Sequence, residues 1–503
     1  MNLAEIALRP GRAPAVAARP AFLTATGSVS NAEFQRRVQA IARELLALGL
    51  KPGSRVLLRM TNSVEFAAGF LALVWVGGVP VLQNSQFGRS ELEHIIGLTR
   101  PVGFLFASDD HDPVTEGLAP DAWRAGVAQM LLRDDPRAAP VAHDAQRDNP
   151  AFIVFTSGTT GRPKGIVHAH RWLEALGDSN RARIPPQPTD VALATGEWSF
   201  ISALGHNVLF PLRNGIPGSV LEARPTPERI LATIARDRVT LLYSVATLYR
   251  RILGDAGIES RYDLASLRGV NATGEPLEAA VRAEWERRFG CPLWEHFGIS
   301  EAQMVLGHGP RVPPREGTVG VAWGAQPAIL DEALTPQPAG TTGRLAFAAN
   351  YPGFFLGYLG DEAQTRATLR EGWYLTSDLA SIDADGYVSI LGRADDCFKS
   401  KGVLIVPREL EDALLALGAF EEACVFPIPD SEVGNHIGAA VVPRPGTAPA
   451  LLTEQGVATA LTGRIAAFKL PHRVLALDAM PKNANGKTQR SAVVRMALEQ
   501  LRA

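Results

Sequence analysis

Ten consecutive residues, Thr156–Gly165 with the sequence TSGTTGRPKG, combine residue types that bind phosphate. Hydroxyl side chains and the cationic Lys164 offer donors, and glycines let the backbone approach an anion closely. The hydroxyls belong to Thr156, Ser157, Thr159 and Thr160, and the glycines are Gly158, Gly161 and Gly165. The segment is therefore predicted to be a phosphate-binding loop.

Two other interpretations of this segment can be weighed on the sequence alone. A mobile surface loop is also rich in glycine, serine and threonine, but ten ordered positions ending in Pro-Lys-Gly are hard to obtain that way. A Walker A loop requires G-x-x-x-x-G-K-[ST]. Gly486–Thr488 supplies Gly-Lys-Thr, yet Pro481 stands where the first glycine is needed. A kinase-type ATPase is therefore excluded.

The elements that must position this loop alternate between strands and helices. The apolar run Phe152–Phe155 predicts a buried strand, so the loop should leave a sheet at its carboxyl end. Upstream, the pattern predicts helices over 31–49 and 62–75 and strands over 56–58 and 79–82. This alternation favours an α/β fold with mostly parallel sheets covered by helices.

Composition limits the possible partners and the number of domains. A chain of 503 residues is too long for one core, and 46% hydrophobic with 20% charged residues is typical of a soluble globular protein. The net charge of −2 and the pI near 6.6 give no electrostatic reason to expect nucleic acid or an anionic membrane as a partner.

The expected location is the cytoplasm. Cys291, Cys397 and Cys424 lack metal-ligand spacing and are too few for a disulfide framework, so they are interpreted as packing residues in a reducing compartment. The apolar stretch 66–81 is interrupted by glycines and is shorter than the ~20 residues of a membrane span. The first residues lack a signal-peptide pattern, so export is not expected.

The phosphate loop resembles the signature of the acyl-adenylating, AMP-forming superfamily. That superfamily includes acyl-CoA synthetases, aryl-acid ligases, adenylation domains of peptide synthetases and firefly luciferase. Further segments resemble its motifs in the same order, namely NATGEPL (271–277), WEHFGISE (294–301), GWYLTSDL (372–379), GRADD (392–396) and PKNANGKTQR (481–490). The chain is therefore identified as a member of this superfamily, in the acyl-CoA synthetase and aryl-acid CoA ligase branch.

The resemblance implies a set of residues that bind ATP. Phe297 stands where the family has tyrosine and keeps a flat face to stack on adenine, while Ser300 replaces threonine and keeps a hydroxyl. Asp378 matches the acid that accepts hydrogen bonds from both ribose hydroxyls, and Arg393 matches the second ribose contact. The complete set is Thr156, Ser157, Gly158, Thr159, Thr160, Gly161, Gly274, Glu275, Pro276, His296, Phe297, Gly298, Ser300, Asp378 and Arg393.

Three charged residues are implied to be catalytic. Lys487 matches the lysine that bridges the substrate carboxylate and the α-phosphate, and Lys164 adds a second cation. Glu301 matches the ligand of Mg²⁺, which prefers hard oxygen donors. On their own, Glu301 and Lys487 would more often be solvated surface charges, and only their places in the motifs favour function.

The resemblance divides the chain into residues 1–394, which bind ATP and the acyl group, and residues 395–503, a smaller mobile α+β domain that carries Lys487. Asp395 matches the hinge, and Gly402 matches a glycine that leaves room for the pantetheine arm of CoA. The alternation of strands and helices begins again after this boundary, which supports it. Helices are predicted at 407–417 and 457–468, and strands at 437–442 and 474–477.

An acyl pocket is expected from segments on several elements. The resemblance implies an aromatic or histidine gate to this pocket, which is Phe200 when counted back from Pro211–Gly215. His206 is interpreted as pocket lining or packing. The implied pocket residues are Trp198, Phe200, Ser202, Tyr243, Val245, Thr273 and Ile299. The segments 198–205, 243–247, 272–274 and 299–305 contain Glu301 as their one charged residue, so the acid is expected to be uncharged beyond its carboxylate. An aromatic or a short- to medium-chain acid fits this description.

The predicted activity is ATP-dependent conversion of a carboxylic acid to an acyl-adenylate, followed by thioester formation with CoA. ATP, Mg²⁺ and CoA are the expected cofactors, and a monomer or homodimer is expected. The main alternative is a stand-alone enzyme that loads the acyl group onto a separate carrier protein. A thiol-independent or light-emitting adenylating enzyme and a non-catalytic nucleotide sensor are further alternatives.

Overall fold

A computed structural model describes residues 1–109, 112–132, 138–157, 162–430, 432–482 and 488–502. The chain forms two compact units. The first unit comprises Met1–Pro327 and Phe347–Tyr374, and the second comprises Ala328–Ala346 and Leu375–Ala503. The division at Asp395, which concerns a hinge motion, stays a prediction.

The strands of the described residues are numbered in chain order. They are β1 (Pro20–Thr24), β2 (Gly27–Ser30), β3 (Arg55–Arg59), β4 (Val79–Leu82), β5 (Gly103–Phe106), β6 (Trp123–Gly126), β7 (Pro150–Ser157), β8 (Pro163–Ala169), β9 (Ala192–Ala194), β10 (Gly218–Ser219), β11 (Leu241–Ser244), β12 (Gly269–Thr273) and β13 (Leu293–Ile299). The later strands are β14 (Gln303–Gly307), β15 (Val321–Ala322), β16 (Pro327–Leu330), β17 (Thr342–Ala348), β18 (Gly357–Tyr358), β19 (Leu369–Arg370), β20 (Trp373–Ile382), β21 (Val388–Arg393), β22 (Phe398–Ser400), β23 (Val403–Ile405), β24 (Phe420–Asp430), β25 (Gly434–Pro443) and β26 (Arg473–Ala476).

The α-helices are numbered in the same way. They are α1 (Leu3–Leu8), α2 (Pro14–Ala17), α3 (Asn31–Ala47), α4 (Val64–Trp75), α5 (Arg89–Thr99), α6 (Val127–Leu132), α7 (Trp172–Arg183), α8 (Ile201–Ala203), α9 (Phe210–Asn214), α10 (Pro227–Asp237), α11 (Ala246–Gly254), α12 (Ala279–Phe289), α13 (Glu362–Thr368), α14 (Pro407–Leu415), α15 (Glu454–Leu461) and α16 (Arg490–Arg502). A π-helix, Leu204–Leu209, joins α8 to α9. Short 3-10 helices lie at Pro10–Arg12, Pro113–Thr115, Ile258–Arg261, Ala394–Asp396, Pro449–Leu452 and Ala467–Lys469.

A seven-stranded sheet in the first unit carries the phosphate loop. Its order is β18-β8-β7-β4-β3-β5-β6, with β3 to β7 parallel and β8 antiparallel to β7. Helix α4 connects β3 to β4, and Ser63 caps it by accepting a hydrogen bond from the Phe66 N–H. Because α4 is apolar on all sides, it is buried almost completely. The loop after β7 therefore leaves the carboxyl end of a parallel sheet, as predicted.

A nine-stranded sheet in the first unit carries the predicted acyl-pocket segments. Its order is β15-β14-β13-β12-β11-β9-β10-β1-β2. The central strands β9, β11, β12 and β13 are parallel neighbours, so their carboxyl ends meet at one edge. Tyr243, Thr273 and Ile299 lie at or next to the ends of β11, β12 and β13.

The second unit contains smaller sheets. Within it, β20 and β21 form an antiparallel hairpin, and β24, β25 and β26 form a mixed sheet in that order. Residues of α14 and α15 pack on one core with this sheet, and Val493 and Ala497 of α16 belong to another. The predicted α/β fold, with a large parallel-rich part and a smaller mixed part, is confirmed.

One predicted helix is shorter than the sequence pattern indicates. The helix predicted over 457–468 ends at Leu461 because Thr462 leaves the helical conformation and Gly463 has a φ of +78°. Glycine reaches that left-handed region without strain and commonly stops a helix. Among the described residues, no helix is long and apolar enough to cross a membrane.

Candidate active site

The strands on both sides of the phosphate loop form a hairpin that fixes its ends. Thr156 lies opposite Lys164, and Ser157 lies opposite Pro163, in the antiparallel pairing of β7 with β8. The loop residues Gly158, Thr159, Thr160 and Gly161 lie outside the described residues. The hairpin therefore brings the first predicted hydroxyl and the predicted cation of the loop next to each other.

Tyr358 joins two of the three predicted catalytic residues. Its hydroxyl donates a hydrogen bond of 2.6 Å to Oε1 of Glu301, and Nζ of Lys164 lies 5.8 Å from the centre of its ring. Burial and the neighbouring Glu301 carboxylate raise the pKa of Tyr358, so its hydroxyl remains a donor at neutral pH. The short strand β18 positions Tyr358 by pairing it with Ile166 of β8. One side chain, that of Tyr358, therefore contacts both the Glu301 carboxylate and the Lys164 ammonium.

The turn that carries Glu301 is held by hydrogen bonds from β8 and α7. Nε2 of His168 donates to the Ser300 carbonyl at 3.0 Å, and Nε1 of Trp172 donates to the Ala302 carbonyl at 2.7 Å. Burial lowers the pKa of His168 to about 3, so its imidazole is neutral at physiological pH. A neutral ring protonated at Nε2 suits this contact, which fixes the turn on both sides of Glu301.

The predicted adenine loop contacts a predicted pocket segment. Glu275 accepts hydrogen bonds from the backbone N–H and the hydroxyl of Thr247, the latter at 2.9 Å. Gly274, just before it, has a φ of +82°, which favours glycine. The next predicted residue, Pro276, follows β12 in the same loop. Two further predicted residues lie within β13, namely Phe297 and Gly298. The motif NATGEPL therefore meets the first turn of α11.

The two predicted ribose contacts lie side by side in the second unit. Asp378 of β20 and Arg393 of β21 are directly opposite each other in the antiparallel pairing. The Asp378 N–H donates to Oγ1 of Thr376 at 3.0 Å, and Nη2 of Arg393 lies 3.7 Å from Oδ2 of Asp395. Asp378 and Arg393 are 15 positions apart in the sequence, and the pairing of the two strands brings them next to each other.

Two of the predicted acyl-pocket residues meet at His206. The ring of Tyr243 stacks on His206 with centroids 4.0 Å apart, and Oγ of Ser202 lies 3.4 Å from Nδ1 of His206. On its other side His206 stacks on His296 at 5.2 Å, and Nε2 of Gln303 lies 3.1 Å from its Nδ1. Burial and the positive charge of Arg183 lower the pKa of His206 to about 3. His206 is therefore a neutral packing group within the predicted pocket, not a general base.

The remaining pocket residues divide between the core and the strand ends. Trp198 is buried in the core, in edge-to-face contact with Phe66 at 6.0 Å and tilted against Phe22 at 5.9 Å. The other predicted residues are partly exposed at the ends of elements, and they are Phe200, Val245, Thr273 and Ile299. The structure therefore places Trp198 in the hydrophobic cluster that also contains Tyr243, with its ring against Phe22 and Phe66.

Arg183, like Tyr358, is a residue that the sequence analysis did not predict for the site. It ends α7 and is fully buried, where it donates to Asn271 Oδ1 at 2.9 Å and to the His308 carbonyl at 2.8 Å. Nη2 of Arg183 also lies 3.3 Å from Nδ1 of His296. An arginine in the last turn of a helix normally points to solvent, so its position in the sequence gave no signal.

The second unit holds the segments on either side of Lys487, which itself lies outside the described residues with Gly486. Arg490 donates to Oε1 of Glu411 at 2.6 Å and lies 3.4 Å from Oδ2 of Asp396. Gly402 has a φ of +78°, and a side-chain carbon built there would meet no atom within 4 Å. The space expected beside Gly402 is therefore present within its own unit.

Two family profiles match the chain. The AMP-binding enzyme profile matches residues 5–359, and the AMP-binding enzyme C-terminal domain profile matches residues 409–487. The chain therefore belongs to the AMP-binding enzyme family, and the predicted superfamily is confirmed.

Relatives that align over nearly the whole length include aryl-acid CoA ligases. A 3-hydroxybenzoate–CoA ligase of Aromatoleum sp. (strain CIB) is 28% identical, covering 97% of this chain and 96% of its own. A benzoate–CoA ligase of Thauera aromatica is 27% identical, with 93% and 91% covered. The crystal structure of ATP-bound MatB from Rhodopseudomonas palustris has a TM-score of 0.90 and 27% identity, covering 99% of this chain and 100% of its own.

Proposed function

We propose that this enzyme uses ATP to activate a carboxylic acid as an acyl-adenylate and then transfers the acyl group to the thiol of CoA. The observation that carries the proposal is the joint contact of Glu301 and Lys164 with Tyr358, beside the ends of the phosphate loop. In a member of the AMP-binding enzyme family, this arrangement provides an anionic ligand and a cation at the predicted phosphate site.

The first half-reaction requires positive charge more than a protein nucleophile. A carboxylate oxygen of the acid attacks the α-phosphorus of ATP, the α–β phosphate bond breaks, and pyrophosphate leaves with the electron pair. Negative charge accumulates on the phosphate oxygens, and fixed cations stabilise it in the transition state. We assign this role to Lys164 in the loop hairpin and to Lys487.

Glu301 is the residue that would hold Mg²⁺. A carboxylate is a hard oxygen donor of the kind that Mg²⁺ prefers, and the hydrogen bond from Tyr358 leaves the second oxygen of Glu301 available for a metal. The residues present therefore fit the ion. When bound, Mg²⁺ would neutralise part of the phosphate charge.

In the second half-reaction the thiolate of CoA attacks the acyl carbon, and AMP leaves. Gly402 is assigned to the path of the pantetheine arm because its surroundings within the second unit are open. A carrier protein offers the same thiol on a phosphopantetheine arm and remains the second candidate acceptor. Free CoA is favoured because the aligned relatives are named CoA ligases.

The proposed substrates are aromatic acids or acids of short to medium chain length. The names of the two relatives reported above specify benzoate and 3-hydroxybenzoate, and the predicted pocket residues include the aromatic side chains of Tyr243 and Phe200, which suit a ring. Phe200, partly exposed at the start of α8, is proposed as the gate of this pocket.

Exchange of labelled pyrophosphate into ATP tests the proposal. Exchange should require both Mg²⁺ and an added acid from a panel of benzoates and C2–C12 fatty acids. Product analysis with and without CoA should then detect the acyl-CoA thioester and AMP. The absence of exchange across the whole panel would exclude adenylation, whereas exchange without thioester formation would point to a carrier protein as the acceptor.

A further inference from the structure

Arg183 is a buried cation whose hydrogen-bond partners are all neutral. Its side chain is fully buried and contacts the Asn271 amide oxygen, the His308 carbonyl and the His296 ring. Its Nε is buried without a hydrogen-bond partner, and no carboxylate pairs with Arg183 anywhere in the described part of the chain. Arginine is almost never fully buried without an anionic partner, so this charge lacks the compensation expected of it.

The groups around Arg183 do not neutralise its charge. Burial lowers the pKa of Arg183 only to about 10, so the guanidinium is protonated at neutral pH. Burial also lowers the pKa of His206 to about 3 and that of His296 well below its usual value, so both rings are neutral. Burial raises the pKa of Tyr243 to about 12, which keeps its phenol neutral as well. The cluster therefore carries one net positive charge.

The fold makes room for this arginine. A side-chain carbon added to Gly307 would lie 3.2 Å from Cδ of Arg183, and one added to Gly309 would lie 3.2 Å from its Cγ. Two glycines on the neighbouring chain segment thus leave the space that the Arg183 side chain occupies. The arginine is therefore built into the packing of the first unit.

Contacts through aromatic rings connect Arg183 to the predicted acyl pocket. His296, which contacts Arg183, stacks on His206, and His206 stacks on Tyr243. The Tyr243 hydroxyl is buried and has no hydrogen-bond partner within the described residues. Arg183 and Tyr243 therefore belong to the same buried group, and the Nε of Arg183 and the hydroxyl of Tyr243 both lack the acceptor expected for a buried donor.

We propose that Arg183 and the Tyr243 hydroxyl bind a second anionic oxygen group on the acyl part of the substrate, a carboxylate or a phenolate. This inference rests on the proposed function and specifies its substrate class. It replaces the expectation of an acid uncharged beyond its reacting carboxylate, because that expectation considered four segments that exclude Arg183. The bound anion supplies the partner that the guanidinium lacks in the protein alone.

The test compares acids that differ only in the second group. Pyrophosphate exchange is measured for benzoate against isophthalate and 3-hydroxybenzoate, and for hexanoate against adipate. The wild-type enzyme should favour at least one acid with a second oxygen group, measured as kcat/KM, by about tenfold or more. In Arg183→Met the ratio for that acid over its unsubstituted partner should fall about 100-fold, as expected for a lost buried charge pair.

Arg181→Met is the matched control, since Arg181 lies on the same helix, is exposed and contacts Asn214. It should leave all the ratios unchanged. Tyr243→Phe should lower the same ratio without removing a charge, and it serves as the second variant if Arg183→Met fails to fold. The inference is overturned if wild type prefers the unsubstituted acids, or if Arg183→Met reduces activity with every acid equally.

A separate readout distinguishes failure of this inference from failure of the proposed function. If no acid supports exchange, the proposed function fails. Thermal shifts of the wild-type protein with isophthalate and benzoate then test whether Arg183 binds a second anionic group. A larger stabilisation by isophthalate that is lost in Arg183→Met supports the site. Equal shifts with both acids refute it.

Discussion

Replacing Tyr358 with phenylalanine removes the hydrogen bond to the proposed metal ligand and a side-chain hydrogen bond with Thr368. The substitution keeps the ring that Lys164 approaches at 5.8 Å and deletes the hydroxyl that donates to Glu301 at 2.6 Å. Glu301 then loses the contact that orients its carboxylate. Tyr358→Phe should therefore weaken the use of Mg²⁺ and ATP while preserving the fold.

The size of the effect follows from the charge and exposure of the contact. A hydrogen bond to a charged group contributes about 1.5–3 kcal/mol, and partial exposure of both side chains favours the lower end. About 1.4 kcal/mol corresponds to a tenfold change in rate, so kcat/KM for ATP should fall about tenfold. The Mg²⁺ concentration that gives half-maximal exchange should rise in parallel.

Pyrophosphate exchange at varied Mg²⁺ and ATP measures both quantities. Tyr351→Phe is the matched control because its hydroxyl contacts Ser179 at 2.8 Å in the same unit, away from Glu301. That control should leave the Mg²⁺ dependence unchanged. If Tyr358→Phe also leaves kcat/KM and the Mg²⁺ dependence unchanged, Tyr358 does not position a metal ligand.

Three further predictions concern the hinge, the gate and the response to acid. Asp395→Pro should slow thioester formation much more than pyrophosphate exchange, because it stiffens the proposed hinge; equal loss of both activities would contradict the two-step domain motion. Phe200→Ala should raise kcat/KM for naphthoate relative to benzoate, and an unchanged ratio would remove Phe200 from the gate. Burial holds the pKa of His168 and His206 near 3, below the value in the unfolded chain, so the unfolded state binds protons first as the pH falls below about 6.5. The free energy of unfolding should therefore be about 2 kcal/mol lower at pH 5 than at pH 7 for each of these two histidines. Equal urea midpoints at pH 7 and pH 5 would contradict this.

Residues of the predicted ATP site lie together where strand pairing joins them in one hairpin. Asp378 and Arg393 lie in two matched motifs joined by a short turn, so antiparallel pairing places them opposite each other. The hairpin of β7 and β8 places Thr156 beside Lys164 for the same reason. In such cases, antiparallel pairing and the order of the matched motifs are sufficient to expect the residues close together.

Contacts between distant elements could not be predicted in this way. Arg183 reaches Asn271 and His308 because of how α7 packs on the nine-stranded sheet, and two glycines beyond residue 306 make the space. Trp198 lies in a segment predicted to line the pocket, but its indole packs against Phe22 and Phe66. The direction of a side chain at such positions depends on tertiary packing, which alternation and motif spacing do not specify.

The contacts of Arg490 have a mechanical consequence. Arg490 follows Lys487 by three residues, and its guanidinium contacts both Glu411 and Asp396, the residue after the proposed hinge. Burial of Glu411 raises the pKa of that carboxyl, which marks the contact as largely shielded from water. Under the proposed mechanism, a rotation about Asp395 would be transmitted through the Arg490 guanidinium to the segment that carries Lys487. The hinge segment and Lys487 would then move together.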